Sequence, residues 1–324
     1  GGKSVTLADG SSRSYDKLLL ATGSRPVSPP IPGLDLPQVH SCWTLEDARN
    51  IVKLAQPGSN VVLIGAGFIG CIILEALVKR GVNLAVVETG NRMVPRMLDE
   101  KAGGLLETWC KNRGIDVHTS CSVEGISDAG DSQVEVSLSD GSKLGAALVI
   151  TATGVKANTD LVAGSDIDVD QGILVNRRMQ TSNPDVYAAG DVAQGVDFST
   201  GNFEVQAIQP TATDHGRIAA LNMAGQGDEH HGTLNMNVLD TVGLISCSFG
   251  LWMGVDGGDS AQLYNPEEFQ YINLQFDGDH LVGASSVGKT QHVGVLRGLI
   301  ESRIHLGDWK QRLMQDPTAI MEAY

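Results

Sequence analysis

The sequence predicts an α/β protein: two Rossmann-like nucleotide-binding domains, the first incomplete and discontinuous, and then a C-terminal α+β domain. Three observations carry this prediction. VVLIGAGFIG sets a glycine turn between an apolar strand and an apolar helix. LLLATGSRP and VITATGVKA are near-copies, each an apolar strand closing on Ala-Thr-Gly. From about residue 233 the pattern changes to period-two strands followed by two helical runs.

Residues 1–14 read as a hairpin arm turning at Asp9-Gly10. Leu18–Leu20 form a continuous apolar run, as in a strand covered on both faces. The proline-rich PVSPPIPGLDLP that follows has the stiffness of a linker. WTLEDARNIVKLA is helical, with Thr44 as N-cap, Glu46 and Asp47 in the first turn, and Pro57-Gly58 ending it. NVVLIGAGFIGCIILEALVKRGVNLAVVE is a βαβ unit: strand 61–64, glycine turn, helix 67–80 stopped at Gly81, strand 84–88. Its first part is long enough for a membrane span, but three spaced glycines and Glu75 favour strand, turn and helix. Next come a helix over about 99–113, short strands near 117–126, 133–138 and 143–145, and the strand of LVITATG at 148–154. A short strand at 186–189 in TSNPDVYAAGD precedes a helix over about 210–224. Beyond 233, LNMNVL, FQYINLQF and LVGASSV alternate as strands, Asp277-Gly278 turns, and GVLRGLIESRIHL and WKQRLMQ are helical. The expected domains are 1–43 with 176–232, 44–175, and 233–324.

The paired closing strands make an internal repeat. The second copy has its glycine turn at Gly65, 87 residues before Ala152. The first copy, ending at Ala21, would need its turn upstream of residue 1. The repeat therefore predicts an N-terminally shortened form of a longer protein. It also predicts an unfilled slot beside Leu18–Leu20 and a whole sheet ending at Thr153.

Composition narrows the partners. Net charge is −15 with no basic block, which argues against nucleic acid. Backbone N–H groups still allow an anionic cofactor to bind locally. The five cysteines have no CxxC or metal spacing, and predict reduced, mostly buried thiols in a cytoplasmic protein. His230-His231 has no accompanying ligands, so no metal site is expected, and no membrane partner either.

The strongest motif is Gly65-x-Gly67-x-x-Gly70, with Phe68 and Ile69 inside it. Gly65 permits the tight turn, Gly67 lets backbone approach a pyrophosphate, and Gly70 lets the helix pack on the strand. Glu88, at the end of the second strand, is placed to accept a hydrogen bond from a ribose 2′-hydroxyl, which favours NADH over NADPH. A solvated strand-end carboxylate is the alternative, and nearby Arg92 offers a phosphate a partner. Asp191, after Gly190, reads on its own as a turn or N-cap aspartate. The helix start at Thr211 and Ala212 offers free N–H groups and a positive dipole end for a reduced flavin ring; a simply capped helix is the alternative. Cys71 reads as a packing residue, with a lowered pKa on the first helix turn as the alternative, and His215 as a surface or packing histidine rather than a base.

These motifs, in this order, resemble the FAD-dependent pyridine nucleotide-disulfide oxidoreductase superfamily. YDKLLLATGSRP, VVLIGAGFIG with Glu88, VITATGVKAN, and TSNPDVYAAGD with its helix carry the resemblance over residues 14 to about 225. The remainder looks like the C-terminal domain of NADH-rubredoxin reductases and of the flavoprotein portion of NADH-nitrite reductases. The resemblance implies hydride transfer from NADH to FAD and electron transfer onward, to a rubredoxin-like protein or a nitrite-reductase-like module. It implies that Asp191, Gly190, Thr22 and Gly23 face FAD and that Gly154 lies near the nicotinamide end of NAD. It also implies a homodimer interface in the C-terminal domain. No catalytic side chain is assigned.

Three features depart from the family pattern. The glycine turn for the FAD pyrophosphate is not in the sequence. Ile72 stands where many members carry Glu, two residues after the third glycine. The His-Pro-Thr motif of the disulfide reductases is missing from the C-terminal segment. Two other readings therefore stay open: an NADH-binding fragment without FAD, and a flavin-dependent disulfide or coenzyme A-disulfide reductase.

Overall fold

The computed structural model describes residues 2–323. They fall into two compact units, one from residues up to Arg25 with Val155–Asn235, the other from Pro26–Gly154 with Met236 onward.

The second unit holds a five-stranded parallel sheet. Its strands run in the order Val39–Ser41, Leu148–Thr151, Asn60–Ile64, Asn83–Val87, Asp116–His118. Val61 to Ile64 are all buried, as the unbroken apolar run requires of a strand covered on both faces. The helix Leu45–Leu54 starts with a reciprocal capping box between Thr44 and Asp47. The glycine-motif helix Phe68–Lys79 ends at Arg80, and Gly81 supplies the left-handed residue beyond it (φ +74°).

That helix is apolar on most of its circumference, so it needs cover on two sides. One side packs on the parallel sheet. The other meets a five-stranded antiparallel sheet, in the order Met236–Thr241, Leu244–Gly250, His280–Val287, Gln270–Asp277, Asp259–Asn265. Leu239, Leu244, Tyr271 and Val287 of this sheet share one core with Cys71, Leu74 and Leu77 of the helix. Each fully buried leucine contributes about 1.5–3 kcal/mol. A separate three-stranded sheet, Val123–Gly130, Gln133–Leu138 and Lys143–Ala146, packs against Val62, Ile64 and Val87.

In the first unit, Leu18–Leu20 pairs in parallel with Val186–Ala188, its one strand neighbour among the described residues. Ile173–Leu174, Ala193–Val196 and Phe203–Glu204 form a small sheet, and the helix Gln209–Met223 packs Ile218 and Ala219 into a core with Leu20, Val186 and Ala188. The hairpin arm is present as Ser4–Thr6 paired with Ser12–Ser14.

The structure adds strands that periodicity does not announce. Val39–Ser41, just past the proline-rich loop, is only three residues long and half-buried. The strand expected over 117–126 is two strands, Asp116–His118 and Val123–Gly130, parted where Ser120 adopts a left-handed conformation (φ +52°). Leu244–Gly250 and Asp259–Asn265 are also new; serines and glycines dilute the apolar alternation in the first. No helix among the described residues is long and apolar enough to cross a membrane.

Candidate functional site

The glycine motif does three different things at three positions. Gly65 lies in the left-handed region at φ +102°, and a Cβ there would sit 2.5 Å from the Ala152 carbonyl oxygen. At Gly70 a Cβ would overlap the Gly65 carbonyl, so the helix touches the turn backbone to backbone. Gly67 differs: a Cβ would meet nothing within 4 Å. The surface over Gly67 is therefore open, as backbone approached by a ligand must be. Gly67 is also the helix N-cap and has no side chain to cap with. The first-turn N–H groups, including those of Phe68 and Ile69, have no intrahelical acceptor, and no acidic residue lies in that turn. An uncapped, uncharged helix start of this kind favours a phosphate anion.

Glu88 closes the turn from below and is 9% exposed. Its Oε2 accepts from the Ala66 amide at 2.8 Å, and its Oε1 from the Gly90 amide at 2.7 Å and the Thr89 hydroxyl at 3.3 Å. A carboxylate offers about four lone-pair sites, so capacity remains for one further donor such as a ribose hydroxyl. The carboxylate is thus a fixed part of the turn, not a solvated strand end. Arg92 is turned into its own loop, donating to Leu98 O at 2.7 Å, Pro95 O at 3.1 Å and Asn91 Oδ1 at 2.7 Å. Three of its five N–H donors are thereby used within the loop. Gly154, at φ +110°, also has open space at its Cβ position. Ile72 is 51% exposed on the glycine-motif helix, an apolar side chain at the surface.

The first unit gathers the other candidates. Gly190 (φ +76°) turns Val186–Ala188 into a short 3-10 helix, and its missing Cβ would lie 3.4 Å from that of Ala212. Asp191 accepts from the Ser24 hydroxyl at 2.7 Å. Thr22 donates its hydroxyl to Asn158 O at 2.8 Å, while Asn158 returns its side-chain amide to Thr22 O at 2.8 Å and its backbone N–H to Gly23 O at 2.9 Å. Gly23 takes φ +66°. Asn158 thus staples the Thr22-Gly23 turn, a role invisible in the sequence because its partners lie more than 130 residues away. The helix Gln209–Met223 starts at Ile208 without a side-chain cap. The Thr211 hydroxyl is buried there with no hydrogen-bond partner among the described residues. An uncapped helix start with an orphaned buried hydroxyl fits a ligand with acceptor atoms, as an anionic flavin ring system presents.

His215, one turn on, is buried edge-to-face against His230 with ring centroids 4.9 Å apart. Burial, then the charge of His230, lowers its pKa to about 4. It is neutral and packs, as the sequence suggests. Cys71, Cys110, Cys121 and Cys247 are buried and Cys42 is half-buried, with no disulfide among them. Burial pushes the Cys71 thiol well above its ordinary range. No group of three metal-ligating side chains clusters among the described residues.

Residues 1–216 match the pyridine nucleotide-disulphide oxidoreductase family. The chain is 34% identical over 317 residues to the NADH-dependent phenylglyoxylate dehydrogenase subunit epsilon of Aromatoleum evansii, covering 97% of this chain and 75% of that protein. It is 36% identical to an NADH oxidase of Methanocaldococcus jannaschii and 32% identical to rhodocoxin reductase of Rhodococcus erythropolis, covering 69% and 68% of this chain but only about half of each relative. Among solved structures it is similar to the covalent putidaredoxin reductase–putidaredoxin complex, with TM-score 0.88 and 25% identity over 99% of this chain and 77% of that one. A NAD-dependent persulfide reductase from A. fulgidus gives TM-score 0.85 and 26% identity over 94% of this chain and 60% of that one. The open turn at Gly67 and the anchored Glu88 thus sit in a chain that belongs to the pyridine nucleotide-disulphide oxidoreductase family.

Proposed function

We propose that this chain is the NADH- and FAD-binding part of an oxidoreductase that takes hydride from NADH and passes electrons to a redox-protein acceptor. The observation that carries the reading is the glycine turn, open over Gly67 and braced by Glu88 on the Ala66 amide. In this reading the first-turn amides of Phe68, Ile69 and Gly70 hold the dinucleotide pyrophosphate, and Glu88 holds the adenosine ribose. A 2′-phosphate would meet the Glu88 carboxylate, so NADH is the preferred donor. In the first unit, Thr22, Gly23, Gly190 and Asp191 hold the FAD chain, and Thr211 and Ala212 face the flavin ring. Bound flavin supplies the redox chemistry, while the protein binds and orients both rings.

Relatives named as reductases of rhodocoxin and putidaredoxin support a small iron–sulfur-type protein as acceptor. A rubredoxin-like partner or a nitrite-reductase-like module fits the same chemistry. The division into 1–43 with 176–232, 44–175 and 233–324, a cytoplasmic location, and a homodimer through the C-terminal segment belong to the same proposal. Four of the chain's five cysteines are buried, so a disulfide or coenzyme A-disulfide reductase activity would take its reactive cysteine from sequence upstream of Gly1.

Purified protein titrated with NADH and with FAD tests the reading. NADH is expected to bind more tightly than NADPH and to bleach bound flavin under anaerobic conditions. Binding of NADH without FAD would leave the fragment reading standing. Binding of neither would overturn the proposal.

A further inference from the structure

The loop from Asn91 to Leu98 links the end of the second Rossmann strand to the helix Glu100–Lys111, and it is strained. Val94 sits at φ +50°, a conformation that a β-branched residue enters only when its surroundings impose it. Two attachments hold it there. On one side, the Val94 amide donates to the Ala66 carbonyl at 2.8 Å, the same residue whose amide donates to Glu88. On the other side the loop ends at Asp99, the N-cap of the following helix, which accepts from the Ala102 amide at 2.9 Å through Oδ1. Its other oxygen, Oδ2, accepts from the Tyr271 hydroxyl and, at 3.4 Å, from the Asn273 amide. Tyr271 lies on the C-terminal antiparallel sheet, is fully buried, and receives a further bond from Gln262 at 2.6 Å. Between the two attachments, Arg92 cross-braces the loop through Leu98 and Pro95. Gly103 makes room for it, since a Cβ there would crowd the Arg92 stem at 2.9 Å.

We infer that Tyr271 is a positioning residue for dinucleotide binding: its hydroxyl, through Asp99, holds the strained Asn91–Leu98 loop so that Val94 stays on Ala66 and Ala66 stays on Glu88. The C-terminal sheet thereby pre-forms the adenosine side of the site without touching the ligand. The inference rests on the NADH reading above. Preorganisation of this kind raises affinity by removing an ordering cost from the binding step.

The test compares wild type, Tyr271→Phe and Asp99→Asn by calorimetric titration with NADH and with ADP-ribose, together with amide exchange at Val94 and at the central strand residues Leu63 and Val86. Phe deletes one hydroxyl, and Asn keeps the helix cap, so at least one variant is expected to fold. Both variants should weaken NADH and ADP-ribose alike, by about 3- to 10-fold, the scale of couplings through packed networks. Val94 exchange should accelerate while Leu63 and Val86 keep wild-type protection. Affinities within twofold of wild type, or an acceleration uniform across all three amides, would overturn the inference. If wild type binds neither ligand, the NADH reading fails, and the Val94 exchange still decides whether Tyr271 holds the loop.

Discussion

At the residue scale, the three glycines of one motif separate structural from ligand-facing need. A Cβ at Gly70 would collide with backbone, which does not yield as a flexible side chain does. Gly70→Ala should therefore destabilise the protein by about 1–3 kcal/mol, read by denaturant unfolding. A Cβ at Gly67 would enter open space, so Gly67→Ala should change stability by less than about 1 kcal/mol. It should nevertheless weaken NADH about 10-fold or more, equivalent to the ~1.4 kcal/mol of one obstructed approach. Equal stability losses in the two variants would contradict this division. Glu88 was legible in the sequence because strand end and acidic residue stand together. Its bonds to Ala66 and Gly90 were not, since they depend on how the turn folds back over the strand. The inward turn of Arg92 depends on Gly103, and no local pattern links these two residues.

At the scale of elements, the helix Gln209–Met223 carries two buried polar groups of different consequence. His215 is neutral in the fold, with its pKa lowered to about 4 by burial and then by His230. An unfolded histidine takes its proton near pH 6.5. Between these values the unfolded state binds the proton and the native state does not, so stability falls as the pH drops from about 6.5 to about 4 and levels off below. His215→Phe should flatten the profile in chemical unfolding at pH 5 against pH 7.5; an unchanged slope would rule this out. Thr211 differs, because its hydroxyl has no partner in the described structure. Thr211→Val should leave the protein without flavin as stable as wild type, or slightly more so, and weaken FAD binding in a fluorescence titration. The helix itself was plain from its sequence. Its orphaned hydroxyl became visible only with the strand end at Gly190 packed against its first turn.

At the scale of the whole molecule, the two units should answer to different ligands. NADH is expected to slow amide exchange around residues 65–99, and FAD around residues 20–24, 190–192 and 209–213, as binding to locally opening segments does. Protection of one region by both ligands equally would contradict separate sites. The alternation of apolar strands, the repeat and the two Ala-Thr-Gly endings made both units legible in outline. The joining of the C-terminal sheet to the glycine-motif helix was not, although the helix's nearly all-round apolarity was its sign.

That shared core also sets a timetable. The helix Phe68–Lys79 can complete its core only when Leu239, Leu244, Tyr271 and Val287 have been made. At about 5–20 residues per second, the ribosome leaves this apolar helix uncovered for roughly 10–40 s after it emerges. The nascent chain must therefore spend that interval with a sticky surface exposed, and holding chaperones would find their target there.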